Sequence, residues 1–351
     1  MSYSTINKST DFFNTKLFTG NGTNSTAISG IGHQPDLVWI KARNQTYEHM
    51  LFDSLRSATS SYPYDIRTNG TNAQSTDSSG LASFNTDGFT LNNGGYVNGN
   101  TINFASWNWK TGTTGSGTTT GSGTGKAYSY SVNTTSGFSI IKYKGNGTSG
   151  HTIPHHLNAV PKFYVVKKTS GTGDWYVYHI ASGQNRFLKL NGNQAETANS
   201  LWNNSSPTST VFSVDNNSAV NGNDEDYICY AFTEITGYSK IGYYSSNNNQ
   251  SGNFIYLGFK PSFFIIKSIS NSQVWHIADN KRVGYNPHNY RLVAHGTDTE
   301  YTGSPIYTDI LSNGIKLRAT DTDTNGSGQT YLYIAFGQSL VGSNNVPCTA
   351  R

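Results

Sequence analysis

The segment PDLVWIK, from Pro35 to Lys41, has two counterparts in this chain: PKFYVVK at Pro161–Lys167 and PSFFIIK at Pro261–Lys267. In each segment a proline and one polar residue precede four apolar, mainly β-branched or aromatic residues, and a lysine stands six positions after the proline. Proline is tolerated at the first residue of a strand because its missing N–H is not needed there. An unbroken apolar run is typical of a strand that is buried on both faces. The three segments therefore predict three equivalent buried strands.

A second shared block follows each of these segments. Asn98-Gly99, Asn221-Gly222 and Asn325-Gly326 come 63, 60 and 64 residues after the prolines. Asn-Gly between extended segments predicts a hairpin turn, because both residues accept a positive φ. In the strand after each pair, alternate residues are expected to share a core-facing side. These residues are Ala105, Trp107 and Trp109, then Ile228, Tyr230 and Phe232, and finally Leu332, Ile334 and Phe336.

Two matching blocks at nearly constant spacing indicate a threefold internal repeat. We therefore predict an all-β fold with little helix, made of three tandem antiparallel β-sandwich (jelly-roll-like) repeats of about 100 residues. Residues 110–126 contain only Lys, Thr, Gly and Ser, a composition typical of a flexible linker. The predicted divisions are an N-terminal arm at 1–15, repeats at 16–109, 127–236 and 237–338, this linker at 110–126, and a C-terminal tail at 339–351.

The composition narrows the expected partners. The net charge is only +4 and the basic residues are spread thinly, so no clustered basic face indicates nucleic-acid binding. No apolar run of 18 residues is present, and no membrane insertion is expected. The first residues contain no apolar signal region, so we expect folding in a cytoplasm. The two cysteines, Cys229 and Cys348, are compatible with that compartment, and a disulfide between them is not indicated.

Two loops resemble ligand-binding motifs. Gly20-Asn21-Gly22 recurs as Gly145-Asn146-Gly147, but polar residues and another predicted strand follow instead of a helix. A turn is therefore expected rather than a phosphate-binding loop. Asp321, Asp323 and Asn325 resemble the front half of a calcium loop, but Leu332 stands where that loop needs a bidentate glutamate. A solvated hairpin is the preferred interpretation, and a weak surface Ca²⁺ site at these three residues is the alternative.

No catalytic residue and no cofactor is predicted. The chain has no G-x-S-x-G nucleophile motif, and none of its carboxylates is marked as a catalytic pair. The histidines lack the spacing of a zinc site and are expected to form ordinary hydrogen bonds. Those considered are His155, His156, His179 and His276. The features that the three repeats share are the prolines, lysines, Asn-Gly pairs and core aromatics, which are structural residue types, so we expect a protein without enzymatic activity.

Several stretches resemble a known family. They include TINKSTDFFNTKLFTGNG near the start, SGFSIIKYKGNGTSGHTIPHHLNAVPKFYVVK in the second repeat and GSNNVPCTAR at the end. Over nearly the whole chain the sequence is similar to repeat-containing virion structural proteins of tailed bacteriophages, especially phages of marine bacteria. Such proteins are often labelled as domains of unknown function or as tail fibres. The third repeat departs from the pattern, because SSNNN replaces the Gly-Asn-Gly opening.

The resemblance implies a non-enzymatic bacteriophage virion protein. We expect an exposed tail fibre, spike or appendage that attaches to the host surface and is made in the host bacterial cytoplasm. The expected partners are other virion proteins, two further copies in a homotrimer, and a glycan or protein of the host surface. A short arm at one terminus suits docking to a larger particle, and the sequence leaves open whether the N-terminal arm or the C-terminal tail does so. The alternatives are a capsid decoration or head-fibre protein and, from another class, a surface-polysaccharide depolymerase.

Overall fold

The computed structural model describes residues 4–57, 62–303, 305–339 and 341. These residues form antiparallel sheets joined by turns and short helical segments, so the predicted all-β class is confirmed. The sheets occur as three pairs along the chain, each made of a larger sheet and a three-stranded sheet. We call these pairs the first, second and third repeat, the larger sheet of each its inner sheet, and the smaller one its outer sheet.

The first repeat follows a 3₁₀ helix at Ser9–Asp11. Its strands are β1 (Phe13–Thr19), β2 (Thr26–Ser29), β3 (Leu37–Ala42), β4 (Met50–Asp53), β5 (Tyr64–Arg67), β6 (Ser75–Thr76), β7 (Leu81–Asn85), β8 (Gly88–Leu91) and β9 (Asn103–Trp109). Its helical segments are α1 (Ser54–Ser57) and α2 (Gly95–Asn98). The inner sheet has the order β1-β9-β3-β4-β5-β6, and the outer sheet has the order β2-β8-β7.

The second repeat has the longest inner sheet. Its strands are β10 (Thr113–Thr118), β11 (Thr120–Gly121), β12 (Ala127–Asn133), β13 (Phe138–Lys144), β14 (His151–Pro154), β15 (Phe163–Lys168), β16 (Trp175–His179), β17 (Arg186–Lys189), β18 (Thr197–Ala198), β19 (Val211–Val214) and β20 (Asp226–Phe232), with helix α3 at Ser218–Asn221. The inner order is β10-β12-β13-β20-β15-β16-β17-β18, and the outer order is β11-β14-β19.

The third repeat has the same central strand order as the first two. Its strands are β21 (Ser239–Ser245), β22 (Phe254–Tyr256), β23 (Phe259–Ser268), β24 (His276–Asp279), β25 (Leu292–Val293), β26 (Thr308–Leu311), β27 (Gly314–Leu317) and β28 (Thr330–Ser339). The inner order β21-β28-β23-β24-β25 corresponds to β1-β9-β3-β4-β5 and to β13-β20-β15-β16-β17. The outer order is β22-β27-β26.

The prediction of a flexible linker at 110–126 is wrong. This stretch contains β10 and β11, and β10 pairs with β12 along its whole length. Its glycines lie beneath aromatic side chains: a Cβ on Gly115 would lie 2.6 Å from the hydroxyl of Tyr130, and one on Gly117 would lie 2.9 Å from the ring of Tyr128. The glycines therefore permit close packing of this strand, and the ladder hydrogen bonds hold a segment that has few side chains of its own.

The described part of the predicted N-terminal arm packs against the rest of the chain. Ile6 is buried, and Phe13 begins β1 and contacts the rings of Trp109 and Phe336. The backbone N–H of Ser9 donates to the side-chain oxygen of Gln338 at 2.9 Å. Residues 4–15 are therefore part of the fold, joining the first repeat to the third. The predicted tail at 339–351 lies almost entirely outside the described residues, and so does Cys348.

The strand after the first shared proline is buried on both faces, as predicted. In β3, Val38 and Ile40 face the interior between the inner and outer sheets, whereas Leu37 and Trp39 face the opposite side. On that side, residues of all three repeats form one central apolar cluster. The cluster includes the predicted alternating residues of β9, β20 and β28, which are Ala105, Trp107, Trp109, Ile228, Tyr230, Phe232, Leu332, Ile334 and Phe336.

The three repeats contact one another in the same cyclic order. An equivalent backbone hydrogen bond joins the first repeat to the second, the second to the third and the third to the first. The three bonds run from Gln74 N to Thr169 O (3.2 Å), from Glu196 N to Ile269 O (3.1 Å) and from Glu300 N to Arg43 O (2.6 Å). A head-to-tail contact that closes after three units forms a ring. Here the whole ring is formed by one chain.

Buried polar groups add to two of these contacts. In the first and third repeats an Asp and an Arg three residues later form a buried ion pair, and an aromatic side chain of the next repeat in the ring donates to the Asp. The two sets are Asp53 and Arg56 with Tyr230 Oη (2.7 Å), and Asp279 and Arg282 with Trp107 Nε1 (3.1 Å). Burial opposes the charge of Asp279, yet Arg282 holds its pKa down at about 2.

Candidate functional site

The Gly-Asn-Gly segments form turns that pack against the later part of their own repeats. Gly22 and Gly147 have φ values of +70° and +68°, which glycine adopts without strain. A Cβ on Gly20 would lie 2.3 Å from the carbonyl oxygen of Gly99, so only glycine permits this approach. The chain continues into β2 and β14, and the described residues place no helix N-terminus directly after these turns.

The asparagines of the Asn-Gly pairs are buried and do not form the predicted hairpins. Asn98 ends α2, and the following Gly99 has a φ of −55°, so no left-handed conformation is needed. The carbonyl oxygen of the Asn98 side chain accepts the N–H of Asn21, and its Nδ2 donates to the carbonyl oxygens of Thr23 and Asn92. The side chain therefore ties the Gly-Asn-Gly turn to the end of the outer sheet.

The same arrangement occurs in the other two repeats. The equivalent contacts are those of Asn221 with Asn146, Thr148 and Asp215, and those of Asn325 with Asn247, Asn249 and Ala319. Each of the three central asparagines is fully buried. A buried carboxamide with donors and acceptors satisfied fixes a local geometry, because each broken contact leaves an unpaired polar group. We therefore assign these residues a structural role.

The three shared lysines are also buried. Their Nζ atoms donate to backbone carbonyls, and Lys41 and Lys167 reach a neighbouring repeat through Thr297 O (3.1 Å) and Thr71 O (3.2 Å). Loss of hydration on burial lowers the pKa of Lys41, Lys167 and Lys267 to about 8. Lys41 and Lys167 therefore join two of the ring contacts through neutral carbonyl oxygens, whereas Lys267 donates within its own repeat to Ser268 O and Asn271 O.

The shared prolines take two positions. Pro35 and Pro161 lie two residues before β3 and β15, in agreement with a proline at the entrance of a strand. Pro261 lies inside β23, where the register shifts between Pro261 and Phe263. The prediction is therefore wrong for the third repeat, in which a bulge accommodates the residue without N–H.

The residues of the alternative calcium site are bound by other protein groups. Asp323 forms an ion pair with Arg291 at 2.8 Å, and the side chain of Asn325 is held by Asn247. The carboxylate of Asp321 accepts the backbone N–H of Asp323 at 2.7 Å. Within the described residues, no group of three His, Cys, Asp or Glu side chains has the geometry of a metal site. These contacts favour a structural turn in this loop.

The four histidines considered in the sequence have separate environments, although His155 and His156 are adjacent in the chain. The ring of His155 is buried beside the carbonyl oxygen of Thr208, and that of His156 stacks on Tyr130 with a centroid distance of 3.6 Å. His179 and His276 are buried in the second and third repeats. Desolvation lowers the pKa of all four imidazoles. Burial also disfavours the charged form of the free Cys229, so it raises the pKa of this thiol and makes the nucleophilic thiolate less accessible.

Exposed aromatic side chains, in contrast, concentrate in one repeat. Among the described residues, the exposed aromatics are Tyr62 in the first repeat and Tyr243, Phe254, Tyr256, Tyr285, Tyr301 and Tyr307 in the third. Three of the latter, Phe254, Tyr256 and Tyr307, belong to the outer sheet or directly precede one of its strands. This face is the candidate functional site, and we call it the aromatic face.

Two rings on β22 form the centre of the aromatic face. Phe254 and Tyr256 are 45% and 51% exposed, and their ring centroids lie 6.4 Å apart. A Cβ on the neighbouring Gly314 would lie 2.9 Å from the Phe254 ring, so this glycine lets the ring lie across β27. The Nζ of Lys240 lies 5.2 Å from the centroid of the Tyr256 ring and donates to the Tyr256 carbonyl oxygen at 2.8 Å.

Charged residues continue this face across the sheet. Lys316 on β27 is paired with Phe254 on one side and with Asp309 of β26 on the other. Because alternate residues of a strand point to the same side, Phe254, Lys316 and Asp309 form one outward row. Arg318, directly after β27, binds Asp309 through Nε at 2.6 Å, and its N–H donates to the carbonyl oxygen of Tyr307.

The first and second repeats carry small residues at the positions of the two rings. The buried residues Ile28, Ile153 and Ile255 are equivalent, since each lies in the middle of the outer-sheet strand and faces the sandwich interior. The residues on either side of them are Ala27 and Ser29, Thr152 and Pro154, and Phe254 and Tyr256. Sequence reasoning missed this site, because alignment of the Gly-Asn-Gly loops did not extend to these flanking positions.

The chain belongs to a family described as a domain of unknown function (DUF7483), whose model matches residues 8–339. No curated protein and no solved structure matches the chain. Within the described residues, none of the helices is both long and apolar enough to cross a membrane.

Proposed function

We propose that this member of the DUF7483 family is a non-enzymatic structural protein of a bacteriophage virion, exposed on the tail as a fibre, spike or appendage that attaches to the host surface. The resemblance of its sequence blocks to virion proteins motivates the phage assignment. The attachment role is supported by the aromatic face, where exposed rings and charged side chains lie on one outer sheet. The outer sheets of the other repeats carry small residues at the positions of the rings.

The ring supports this role physically. An attachment protein has to hold its contact surface rigid outside the cell. Here the apolar faces of three inner sheets are buried against one another, and buried ion pairs and backbone hydrogen bonds cross the contacts. Burial of large aromatic side chains is among the strongest contributions to stability. The aromatic face thus stands on a scaffold that needs no disulfide among its described residues.

The predicted homotrimer stays a proposal. A threefold arrangement is already complete within one chain, with the central cluster covered by its own repeats. Three copies would therefore have to associate through outer sheets, sheet edges or loops. Light scattering of the purified chain tests this point: a mass of three chains supports the trimer, whereas a single-chain mass contradicts a trimer that forms without the particle.

Immunogold labelling of purified phage particles tests the proposed function. Antibodies raised against the folded chain should place gold at the tail or its baseplate. Label distributed over the capsid would contradict the tail assignment and support a decoration protein, and unlabelled particles would contradict both. Purified chain should also leave host polysaccharide intact, so release of reducing ends would contradict the non-enzymatic assignment.

A further inference from the structure

We infer that the aromatic face binds an acidic polysaccharide, with sugar rings stacked on Phe254 and Tyr256 and acidic groups held by Lys240 and Lys316. This inference rests on the proposed attachment function and names the chemistry of the surface that would be recognised. It follows from three features of the face: its exposed rings, its charge, and its difference from the same sheet in the other repeats.

The rings present the surface that a sugar requires. Both are about half exposed, and together they form a contiguous apolar area at the edge of a sheet. The face of an aromatic ring carries negative charge density, and the polarised C–H groups on one side of a pyranose ring are attracted to it. Because Gly314 lets the ring of Phe254 lie across the sheet, the ring is supported from below rather than free in solvent.

The charges on this face favour an acidic ligand. Lys240 lies over the Tyr256 ring and Lys316 is the cross-strand neighbour of Phe254. The acidic group on this face, Asp309, is already paired with Arg318. The two lysines donate only to backbone carbonyl oxygens, Lys240 to Tyr256 and Lys316 to the loop at Ser251 and Gly252. Each ammonium group therefore keeps its charge available for a carboxylate or a phosphate that approaches from solvent.

The position of Lys240 links the two kinds of contact. Its Nζ lies over one face of the Tyr256 ring, 5.2 Å from the centroid, so the ammonium group borders the ring on which a sugar would stack. A uronic acid carries its carboxylate directly on the pyranose ring. A sugar stacked on Tyr256 can thus place its carboxylate near this ammonium group, and a polymer can extend from there over Phe254 towards Lys316.

The other repeats show that the fold does not require these side chains. Gly88 in the first repeat corresponds to Gly314, since Gly88 is paired with Ser29 and Gly314 with Tyr256. A Cβ on either glycine would lie about as close to the carbonyl oxygen of the preceding isoleucine on the facing strand, 1.9 Å for Ile28 and 2.2 Å for Ile255. The two sheets therefore share this close approach between their facing strands. The first repeat forms this geometry with alanine and serine at the positions of the rings, so packing does not account for the aromatic residues of the third repeat.

The test measures binding of the purified full chain to three polymers. Polygalacturonate supplies acidic sugar rings, dextran supplies neutral sugar rings, and polyacrylate supplies carboxylates without rings. We expect calorimetry to detect binding to polygalacturonate that is at least tenfold tighter than binding to either other polymer and that weakens as salt is added. The double variant Phe254→Ala, Tyr256→Ser, which introduces the residues of the first repeat, should bind at least tenfold more weakly.

Tyr243→Ser is the matched control, because Tyr243 is a more exposed aromatic residue of the same repeat that lies on β21 of the inner sheet. Tyr243→Ser should bind polygalacturonate as tightly as the unchanged chain does. Both this control and the double variant should have the same urea unfolding midpoint as the unchanged chain. Equal binding of polyacrylate or dextran, no binding of polygalacturonate, or equal binding by the double variant would overturn the inference. Binding by a chain that is absent from virions would refute only the proposed function, whereas labelled virions without binding would refute only this inference.

Discussion

The inner and outer sheets of the three repeats differ in how alike they are. On the inner sheets, equivalent positions carry large apolar residues in every repeat: Trp39, Val165 and Ile265 in the Pro-led strand, and Trp109, Phe232 and Phe336 in the last strand. On the outer sheets the corresponding faces range from alanine and serine to phenylalanine and tyrosine. The inner-sheet residues must stay large and apolar in every repeat, because they pack against one another in the central cluster. The outer-sheet faces contact solvent, which imposes little restriction on residue type. Departures from the repeat pattern on the outer sheets are therefore the places to look for binding.

The largest effect should follow from breaking a buried ion pair of the ring. Arg282 is fully buried between Asp279 and Glu300, and Glu300 in turn binds Arg43 of the first repeat. Replacing it by alanine leaves the buried carboxylate of Asp279 without its cation and removes one of the two cations of Glu300. We expect Arg282→Ala to lower the free energy of unfolding by about 3–5 kcal/mol, measured by urea denaturation with an unchanged m-value.

Arg318→Ala provides the matched control on the outer sheet. Its Nε lies 2.6 Å from the carboxylate of Asp309, close to the 2.5 Å between Arg282 and Asp279, but its side chain is 47% exposed. An exposed pair of this kind contributes at most about 1 kcal/mol. Similar losses in the two variants would mean that burial within the ring does not distinguish the inner contacts from those at the surface.

A somewhat smaller decrease in the free energy of unfolding is expected when the side chain of one of the three buried asparagines is removed. In Asn221→Ala the N–H of Asn146 loses its acceptor, and the carbonyl oxygens of Thr148 and Asp215 lose a donor. Leaving these groups unpaired should cost about 2–4 kcal/mol in the free energy of unfolding. The neighbouring Asn223→Ala should change it by less than about 0.5 kcal/mol, since Asn223 is exposed. A near-neutral Asn221→Ala would refute the structural role given to the three asparagines.

Sequence patterns located the buried strands but not what covers them. The apolar run after Pro35 shows that both faces of β3 are buried, and the alternation in β9 identifies the residues that share a face. Periodicity shows that a strand face is buried, but it does not show which residues cover it. Here the covering residues come from the other two repeats. The ring was therefore not predicted, although a threefold repeat was.

Two errors have a related cause. The Gly/Thr/Ser stretch at 110–126 has the composition of a linker, but its backbone gains a complete ladder with β12, and aromatic rings of that strand cover its glycines. Asn98-Gly99 has the signature of a hairpin, yet the buried asparagine is held by a loop about 75 residues earlier in the chain. In both places the conformation is decided by a partner that the local signature does not show: the next strand for residues 110–126, and a distant loop for Asn98.

A pH-dependent effect should come from the buried lysines. Burial lowers the pKa of Lys267 to about 8 in the folded chain, below its ordinary value of 10.5 in the unfolded chain. Between these values the unfolded chain holds a proton that the folded chain has lost, so this lysine makes stability rise with pH, by at most about 1.4 kcal/mol per pH unit. Below pH 8 the cost of charging it is fully present.

The experiment compares Lys267→Met with the unchanged chain from pH 7.5 to 9.5. The stability of the unchanged chain should rise relative to that of the variant above pH 8, and the difference between the two cancels the ionisation of Cys229 and of the tyrosines. Ile266→Val, at the preceding buried position of β23, should give a difference that does not depend on pH. A constant difference for Lys267→Met would show that its ammonium group is not destabilised by burial.

The smallest effect on stability is expected on the outer sheet of the first repeat, where the two aromatic residues of the third repeat can be introduced at the equivalent positions. Ala27 and Ser29 are exposed, and Gly88 leaves the same space beside β2 that Gly314 leaves beside β22. Ala27→Phe with Ser29→Tyr should therefore shift the free energy of unfolding by no more than about 0.5 kcal/mol, the range of surface substitutions. If rings alone suffice for stacking, the polygalacturonate stoichiometry should rise from one site to two. If the stoichiometry stays at one while the fold is intact, the lysines beside Phe254 and Tyr256 are as necessary as the rings, because the first repeat has Thr90 where the third has Lys316.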